Sequence, residues 1–276
     1  MNTYFSVDKV DKDSKLIAMS KSHKQKLYIN KNENEDKPNN LYRSALSEMR
    51  KGEYKSIKSN EPLIPFLQSG YHFNIGIFGQ SGSGKTTMAR SIIDLYLSLL
   101  TNKERKEIEI FLCSPTSGRD PDDVFFDDVQ SGRVKLLPLN DEFFGENIVT
   151  IEELAETLII FDDIEGIQDK KIMKRVYQLM HSCLTNGRHK VIKVLVLAHN
   201  PRNGDHVYRS ILSEIQMAIF AGPQNSRHLS TYMNEHALVG ESKIIKEAID
   251  LKAKNRYLIV NKHDRYISTE NYFKII

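Results

Sequence analysis

A glycine-rich segment at residues 79–87 has the residue types and spacing that bind phosphate. Its sequence, GQSGSGKTT, fits the pattern G-x-x-x-x-G-K-[ST] at every fixed position. The glycines allow the backbone to turn several N–H groups inward, toward a phosphate. Lys85 is expected to reach the β- and γ-phosphates, and the Thr86 hydroxyl to bind Mg²⁺. The predicted nucleotide-binding residues are Gly79, Gln80, Ser81, Gly82, Ser83, Gly84, Lys85, Thr86 and Thr87.

The segments on either side of this loop support the prediction. Residues 73–78 are apolar and β-prone, as a buried strand should be, and residues 87–96 carry apolar side chains at helical spacing. In this context a phosphate binds backbone N–H groups and the positive end of the following helix. The alternative is a surface turn rich in glycine and serine, which would make both flanking patterns accidental.

Two consecutive carboxylates follow a second apolar run, TLIIFDD, at residues 157–163. A buried strand would carry them to its C-terminal end, where ligands bind in open α/β sheets. Asp162 is expected to hold Mg²⁺, directly or through water, and Asp163 to polarise the water that attacks the γ-phosphate. ATPases with an extra strand between the two motifs often have glutamate at this place, so Glu165 is the reserve candidate for the catalytic base. The alternative is an ordinary strand end.

A third polar site ends the apolar run at 191–198, where His199 and Asn200 follow. A polar side chain between the phosphate loop and the acidic strand can hydrogen-bond the γ-phosphate or the attacking water. Either residue is therefore a candidate sensor, and a turn or helix-cap residue is the alternative.

Length and composition indicate one large α/β domain with an appendage. Residues 1–60, rich in Lys, Asn, Asp, Glu and Ser, form the expected N-terminal extension, and residues 61–276 the phosphate-binding domain. The net charge of +3 permits a nucleic-acid partner without requiring one. Cys113 and Cys183 lack metal-binding spacing, so we expect buried thiols in a reducing compartment. The chain lacks a long apolar run and a signal-peptide core, which predicts a soluble intracellular protein without membrane insertion.

Further elements follow from the same patterns. We expect strands at 107–114, 134–139 and 215–221, helices at 170–184, around 209–214, at 224–235 and at 242–253, and a helix that begins at Thr150 with a capping box. Hairpins are expected to pair 15–20 with 26–30 and 256–260 with 265–268, whereas 31–40 is a predicted loop and 41–49 a predicted short helix.

The runs GxSGSGKT, IIFDD, NGRH and LAHN together resemble the FtsK–HerA superfamily. More closely, they resemble the genome-packaging ATPases of nucleocytoplasmic large DNA viruses and virophages, and the later runs RSILSE, AIF and RYLI extend the likeness over residues 70–270. The resemblance implies an α/β, RecA-like (ASCE) P-loop NTPase fold. Its features would be a mostly parallel central sheet flanked by helices, a C-terminal β-hairpin and a small N-terminal extension.

The family also implies a function: a ring of identical subunits that uses ATP and Mg²⁺ to move double-stranded DNA into a preformed capsid. An arginine would reach the γ-phosphate of the neighbouring subunit, with Arg209 the first choice and Arg202 and Arg188 the alternatives. Capsid vertex proteins are the implied further partners. The implied location is the cytoplasm of the host cell, in the viral factory, and also the virion.

Four groups of basic residues are candidates for contact with DNA, although a solvated surface is the alternative for each. They are Arg119, Arg133, the pair Lys170 and Lys171, and the pair Lys174 and Arg175. Three other functions stay open at this point: a cellular or plasmid DNA-transfer ATPase, a small-molecule or nucleotide kinase, and a nucleotide-binding scaffold with weak turnover.

Overall fold

The computed structural model describes residues 5–7, 15–20, 26–29, 55–56, 63–65, 72–144, 149–201, 206–222, 226–237, 242–262, 266–269 and 272–275. Its strands are β1 (Phe5–Val7), β2 (Lys15–Ser20), β3 (Lys26–Ile29), β4 (Lys55–Ser56), β5 (Leu63–Pro65), β6 (Phe73–Phe78), β7 (Ile110–Cys113), β8 (Val134–Leu136), β9 (Leu158–Asp162), β10 (Lys193–Ala198), β11 (Met217–Ala221), β12 (Tyr257–Asn261), β13 (Tyr266–Ser268) and β14 (Tyr272–Ile275). Its α-helices are α1 (Lys85–Leu99), α2 (Asn102–Glu107), α3 (Phe126–Gln130), α4 (Asp141–Phe144), α5 (Lys170–Asn186), α6 (His206–Glu214), α7 (Ser226–Glu235) and α8 (Ser242–Lys254).

The larger sheet of the described chain has the strand order β4-β14-β13-β12-β11-β6-β10-β9-β7-β8. The strands from β11 to β8 in this order are parallel, and those from β4 to β12 pair antiparallel. Every residue of β6, β9 and β10 is buried, as expected for parallel strands covered on both faces. The predicted α/β class, the mostly parallel sheet and the C-terminal hairpin of β12 with β13 are confirmed.

Side chains that alternate along the central strands pack into two apolar layers. Ile75 and Ile77 of β6 pack in the layer that contains the apolar face of α1, whereas Val194 and Val196 of β10 pack in the layer that contains α5. Because side chains alternate along a strand, one run of apolar residues fills both layers. The predicted burial of the two cysteines is confirmed, and both thiols are free and lie in the α5 layer.

Three predicted elements differ in the structure, one of them the strand expected at 134–139, which ends at Leu136. The strand expected to begin at residue 107 begins at Ile110, because Thr101 and Glu104 form a capping box that starts α2. The helix expected at Thr150 is wrong: Thr150 and Glu153 do exchange capping hydrogen bonds, but residues 151–156 form turns. Glu156 takes a left-handed φ of 61°, which ends any helix before the chain enters β9.

Strands of the N-terminal region form a second sheet with the order β1-β3-β2-β5. The predicted hairpin of β2 with β3 is confirmed, whereas the loop expected at 31–40 and the helix expected at 41–49 lie outside the described residues. Near the expected boundary at residue 60, β4 pairs with β14 in the large sheet and β5 pairs with β2 in the small one. The boundary stays a prediction.

Asn74 joins β6 to the ends of two helices, and we expect its removal to destabilise the fold. Its buried amide donates to the carbonyl oxygens of Leu184 (3.0 Å) and Glu214 (3.1 Å). Asn74→Ala leaves both acceptors without this partner, so the free energy of unfolding should fall by about 2 kcal/mol in urea titrations. Asn234→Ala, at an exposed position of α7, is the matched control and should change it by less than about 0.5 kcal/mol. An equal effect of both substitutions would contradict the structural role of Asn74.

Candidate nucleotide-binding site

The phosphate loop joins the carboxyl end of β6 to the start of α1 through a tightly folded backbone. Gly82 and Gly84 have φ values of 73° and 90°, which favour glycine. A Cβ on Gly79 would lie 2.4 Å from the Ser83 hydroxyl oxygen and 2.5 Å from the Ala221 carbonyl oxygen. A side chain at Gly79 would clash, and one at Gly82 or Gly84 would strain the backbone, so this loop conformation requires the three glycines.

Two polar side chains of the loop are buried without strong protein partners. Lys85 is only 6% exposed, and its Nζ donates a long hydrogen bond of 3.4 Å to the Gln80 carbonyl oxygen. The Ser83 hydroxyl is buried and has no hydrogen-bond partner among the described residues. Since buried polar groups are normally paired, this arrangement fits a loop built to surround a phosphate.

Strand register brings the three predicted polar sites to one edge of the sheet. β10 lies between β6 and β9, with Ala198 opposite Phe78 and Leu197 opposite Asp162. The residues that follow these strand ends are therefore neighbours, and His199 Nε2 lies 3.4 Å from Asp163 Oδ1. The structure thus places His199 beside Asp163, at the end of the strand that lies between β6 and β9.

Asp162 is a buried carboxylate with one oxygen occupied and one without a partner. Its Oδ2 accepts a hydrogen bond from the Ser117 hydroxyl, while its Oδ1 has no hydrogen-bond partner among the described residues. Burial raises the pKa of Asp162 to about 6, and Asp163 adds to the rise, whereas Ser117 and Lys85 oppose it. A cation beside Oδ1 would offset the cost of burying this charge.

Asp162 and Thr86 fit Mg²⁺ better than a metal held by protein ligands alone. Among the described residues, no group of three or more His, Cys, Asp or Glu side chains is placed to hold an ion. Mg²⁺ prefers oxygen ligands and is usually bound by one or two carboxylates together with substrate phosphates. Asp162 and the hydroxyl of Thr86, at the start of α1, are the residues predicted to supply that kind of site.

Asp163 has a left-handed backbone conformation, with φ 48° and ψ 43°. Aspartate tolerates this conformation better than most residues, and here it turns the chain from β9 directly into the 3-10 turn Ile164–Gly166. Glu165 lies on that turn, and partial burial of its carboxyl group raises its pKa, with a further contribution from Asp163. Both predicted candidates for the base therefore stay near the carboxyl end of β9.

Ser117 is a site residue that the sequence interpretation missed. Its loop follows β7, the neighbour of β9, and the Ser114 hydroxyl oxygen accepts from the N–H groups of Thr116 and Ser117. Gly118, at φ 77°, donates its N–H to the Asp123 carboxylate. Hydroxyl residues at the end of a strand beside the acidic strand are the signal that could have identified it.

Two of the arginine candidates, Arg209 and Arg188, lie within the described residues, and they occupy separate places in the fold. Arg209 is exposed on α6. Arg188 is exposed in the 3-10 turn before β10, at the amino edge of the sheet, where its charge helps burial to lower the pKa of His72. Arg202 lies outside the described residues, and Asn200 is exposed after His199.

The basic residues proposed to face DNA are of two kinds. Arg119, Lys170 and Lys174 are exposed. The others have partners within the chain: Arg133 lies 3.5 Å from Asp128 and 3.6 Å from Asp94, Lys171 lies 3.3 Å from Asp141, and Arg175 donates to the Phe144 carbonyl oxygen.

Comparisons with known proteins give a distant relative and structural neighbours. No family model matches the chain. It is 26% identical to uncharacterized protein V3 of the Sputnik virophage over 273 residues, which is 98% of each chain.

The part of the chain described by the structure contains no helix long and apolar enough to cross a membrane.

Two solved structures illustrate the likeness of the fold. The genome-packaging NTPase B204 of Sulfolobus turreted icosahedral virus 2, bound to AMPPCP, is 14% identical over 74% of this chain and 98% of its own, with a TM-score of 0.43. The pCW3 conjugation coupling protein TcpA is 12% identical over 99% of this chain and 77% of its own, with a TM-score of 0.43. The strand order itself, with one strand between the phosphate-loop strand and the acidic strand, is that of a RecA-like ASCE P-loop fold.

Asp162→Asn should stabilise the cation-free protein at neutral and alkaline pH. The raised pKa means that the folded state disfavours ionisation of Asp162. The loss of stability caused by this charge is therefore absent below pH 3.8, the ordinary pKa, and complete above about pH 6. Urea titrations in a chelator should show the variant more stable by about 2 kcal/mol near pH 8 and equal to the wild type near pH 4. A pH-independent difference would contradict the proposed cost of the buried charge.

Proposed function

We propose that the chain is an ATPase that couples hydrolysis of Mg²⁺-bound ATP to movement of double-stranded DNA, and that it packages a viral genome into a preformed capsid. The alignment of the phosphate loop with Asp162 and Asp163 across one intervening strand is the observation that carries the proposal. Nucleotide-bound neighbours such as B204 support the ATPase, and the virophage relative supports a viral origin.

The triphosphate binds in the loop at residues 79–87. Backbone N–H groups and the start of α1 hold the β-phosphate, and Lys85 binds the β- and γ-phosphates. Thr86 and Asp162 would hold Mg²⁺, which would supply positive charge to neutralise the phosphate oxygens. Ser117 orients Asp162 through its hydrogen bond to Oδ2, which leaves Oδ1 available as a ligand.

Asp163 orients the attacking water and accepts its proton, with Glu165 the reserve candidate for this role. His199 lies 3.4 Å from the Asp163 carboxylate and senses whether the γ-phosphate is present, alone or with Asn200. The Asp163 Oδ1 makes no hydrogen bond to the described residues, so it can accept one from the attacking water.

Neighbouring subunits of a ring complete the site with an arginine. Arg209 is the first choice because it is exposed on α6, the helix that follows the candidate sensor strand. Arg188 and Arg202 are the alternatives. A guanidinium beside the transferring phosphoryl group stabilises its charge, so isolated subunits would hydrolyse ATP slowly.

DNA binding is assigned to exposed basic residues, chiefly Arg119, Lys170 and Lys174, whereas the ion pairs of Arg133 make it the weaker candidate. Such contacts with phosphates carry no sequence preference, which suits a motor that must not stop. Capsid vertex proteins are further partners under this proposal, and its locations are the viral factory in the host cytoplasm and the virion.

Steady-state ATP hydrolysis with and without linear double-stranded DNA tests the proposal. Hydrolysis should rise severalfold on DNA, and the stimulation should fade as salt is added, because contacts with phosphates release counterions. Lys85→Ala should abolish turnover, whereas Lys103→Ala, an exposed lysine on α2, is the matched control and should retain it.

Three outcomes would contradict the proposal. Turnover that ignores DNA but responds to a small-molecule acceptor indicates a kinase. Nucleotide binding without turnover under any condition indicates a scaffold. DNA-stimulated turnover without binding to purified capsids supports the translocase and overturns the packaging role in favour of cellular or plasmid DNA transfer.

A further inference from the structure

A cavity lies on the side of β6 that faces away from the carboxylates. The neighbour of β6 on this side is β11, which in turn pairs with β12. Beside the end of β11 and the start of β12 is an open cavity of about 580 Å³. Its lining includes Gly222, Leu229, Ile249, Ala253, Asn255 and Arg256.

This cavity adjoins the phosphate loop directly. A Cβ on Gly222 would lie 2.7 Å from the Ser83 Cβ, so the lining backbone touches the loop. Arg256 Nη2 lies 3.5 Å from the position that a Cβ on Gly84 would occupy, and the Tyr257 hydroxyl lies 3.0 Å from the same position. A ligand that extends from the loop on this side therefore enters the cavity.

Arg256 is held in place at the boundary between the cavity and the loop. Its carbonyl oxygen accepts from the Gly222 N–H at 3.0 Å and from Lys252 Nζ at 3.1 Å. Its guanidinium lies over the Tyr257 ring, 5.5 Å from the ring centroid. The hydrogen bonds hold the backbone of Arg256, the contact with the Tyr257 ring orients its side chain near the loop, and the guanidinium fork matches phosphate oxygens.

The size and lining of the cavity suit a nucleoside. Its volume is within the range of about 300–1,000 Å³ found for small-molecule sites. Leu229, Ile249 and Ala253 offer an apolar wall to a flat base, while Asn255 and Ser226 offer polar groups. Lys252 lines the same cavity and is buried.

The expected direction of the bound triphosphate agrees with a nucleoside in this cavity. Asp163 and His199 lie at the ends of β9 and β10, so the γ-phosphate must point to that side of β6. The other end of the nucleotide then leaves the loop on the opposite side, where β11 ends and β12 begins. We propose that the cavity holds the base and ribose of the bound nucleoside triphosphate, and that Arg256 binds its α-phosphate; this inference rests on the proposed ATPase function.

Calorimetric titration of the full chain with ATP and with inorganic tripolyphosphate, both with Mg²⁺, tests the cavity. The wild type should bind both, and ATP more tightly. Ala253→Leu narrows the cavity and should weaken ATP binding by at least about fivefold while tripolyphosphate affinity stays within about twofold. Lys246→Leu, at an exposed position of α8 that does not line the cavity, is the matched control and should change neither affinity.

Arg256→Ala gives an independent test of the boundary residue. Loss of a charge-assisted contact should weaken ATP binding by about tenfold without changing the thermal unfolding temperature by more than a few degrees. Unchanged ATP affinity in both Ala253→Leu and Arg256→Ala, or equal losses for ATP and tripolyphosphate in Ala253→Leu, would overturn the inference. Failure of the wild type to bind either ligand would instead overturn the proposed ATPase function itself.

Discussion

The candidate site depends on the register of three parallel strands. The Gly79 N–H donates to the Ala198 carbonyl oxygen and the Asp163 N–H donates to the Leu197 carbonyl oxygen, both at 3.1 Å, so the ladder continues one residue beyond β6 and β9. Because these bonds fix where each strand ends, the phosphate loop, His199 and the carboxylates meet at one edge. A shift of one residue would reverse the direction of every side chain along that strand.

This edge has costs in stability that the buried strands below it must offset. The Asp162 charge is buried with one oxygen unpaired, and Asp163 takes a backbone conformation that few residues other than glycine adopt. Features of this kind concentrate at functional sites, where the rigid surroundings hold them in place. The Ser117 loop adds to this support from the neighbouring strand β7.

The sequence predicts the strands and the loop well because their signals are local. Apolar runs that end at glycine or at polar residues identify β6, β9 and β10, and glycine spacing identifies the phosphate loop. Thr150 shows the limit: its capping box forms, yet the chain must enter β9 six residues after Glu152, and the helix is lost. Ser117 and Arg256 are brought toward the site by strand pairing across the sheet, so their place depends on the strand order as well as on the local sequence.

Hydrolysis of ATP by Asp163→Asn in a single turnover, with nucleotide affinity measured on the same sample, tests the account most directly. Asn is nearly isosteric and tolerates the left-handed conformation, so the fold and ATP binding should be kept. The account predicts an affinity within about threefold of the wild type and a rate at least about 100-fold lower, since the base is lost. Hydrolysis near the wild-type rate would contradict the assignment of Asp163 and of the edge built around it.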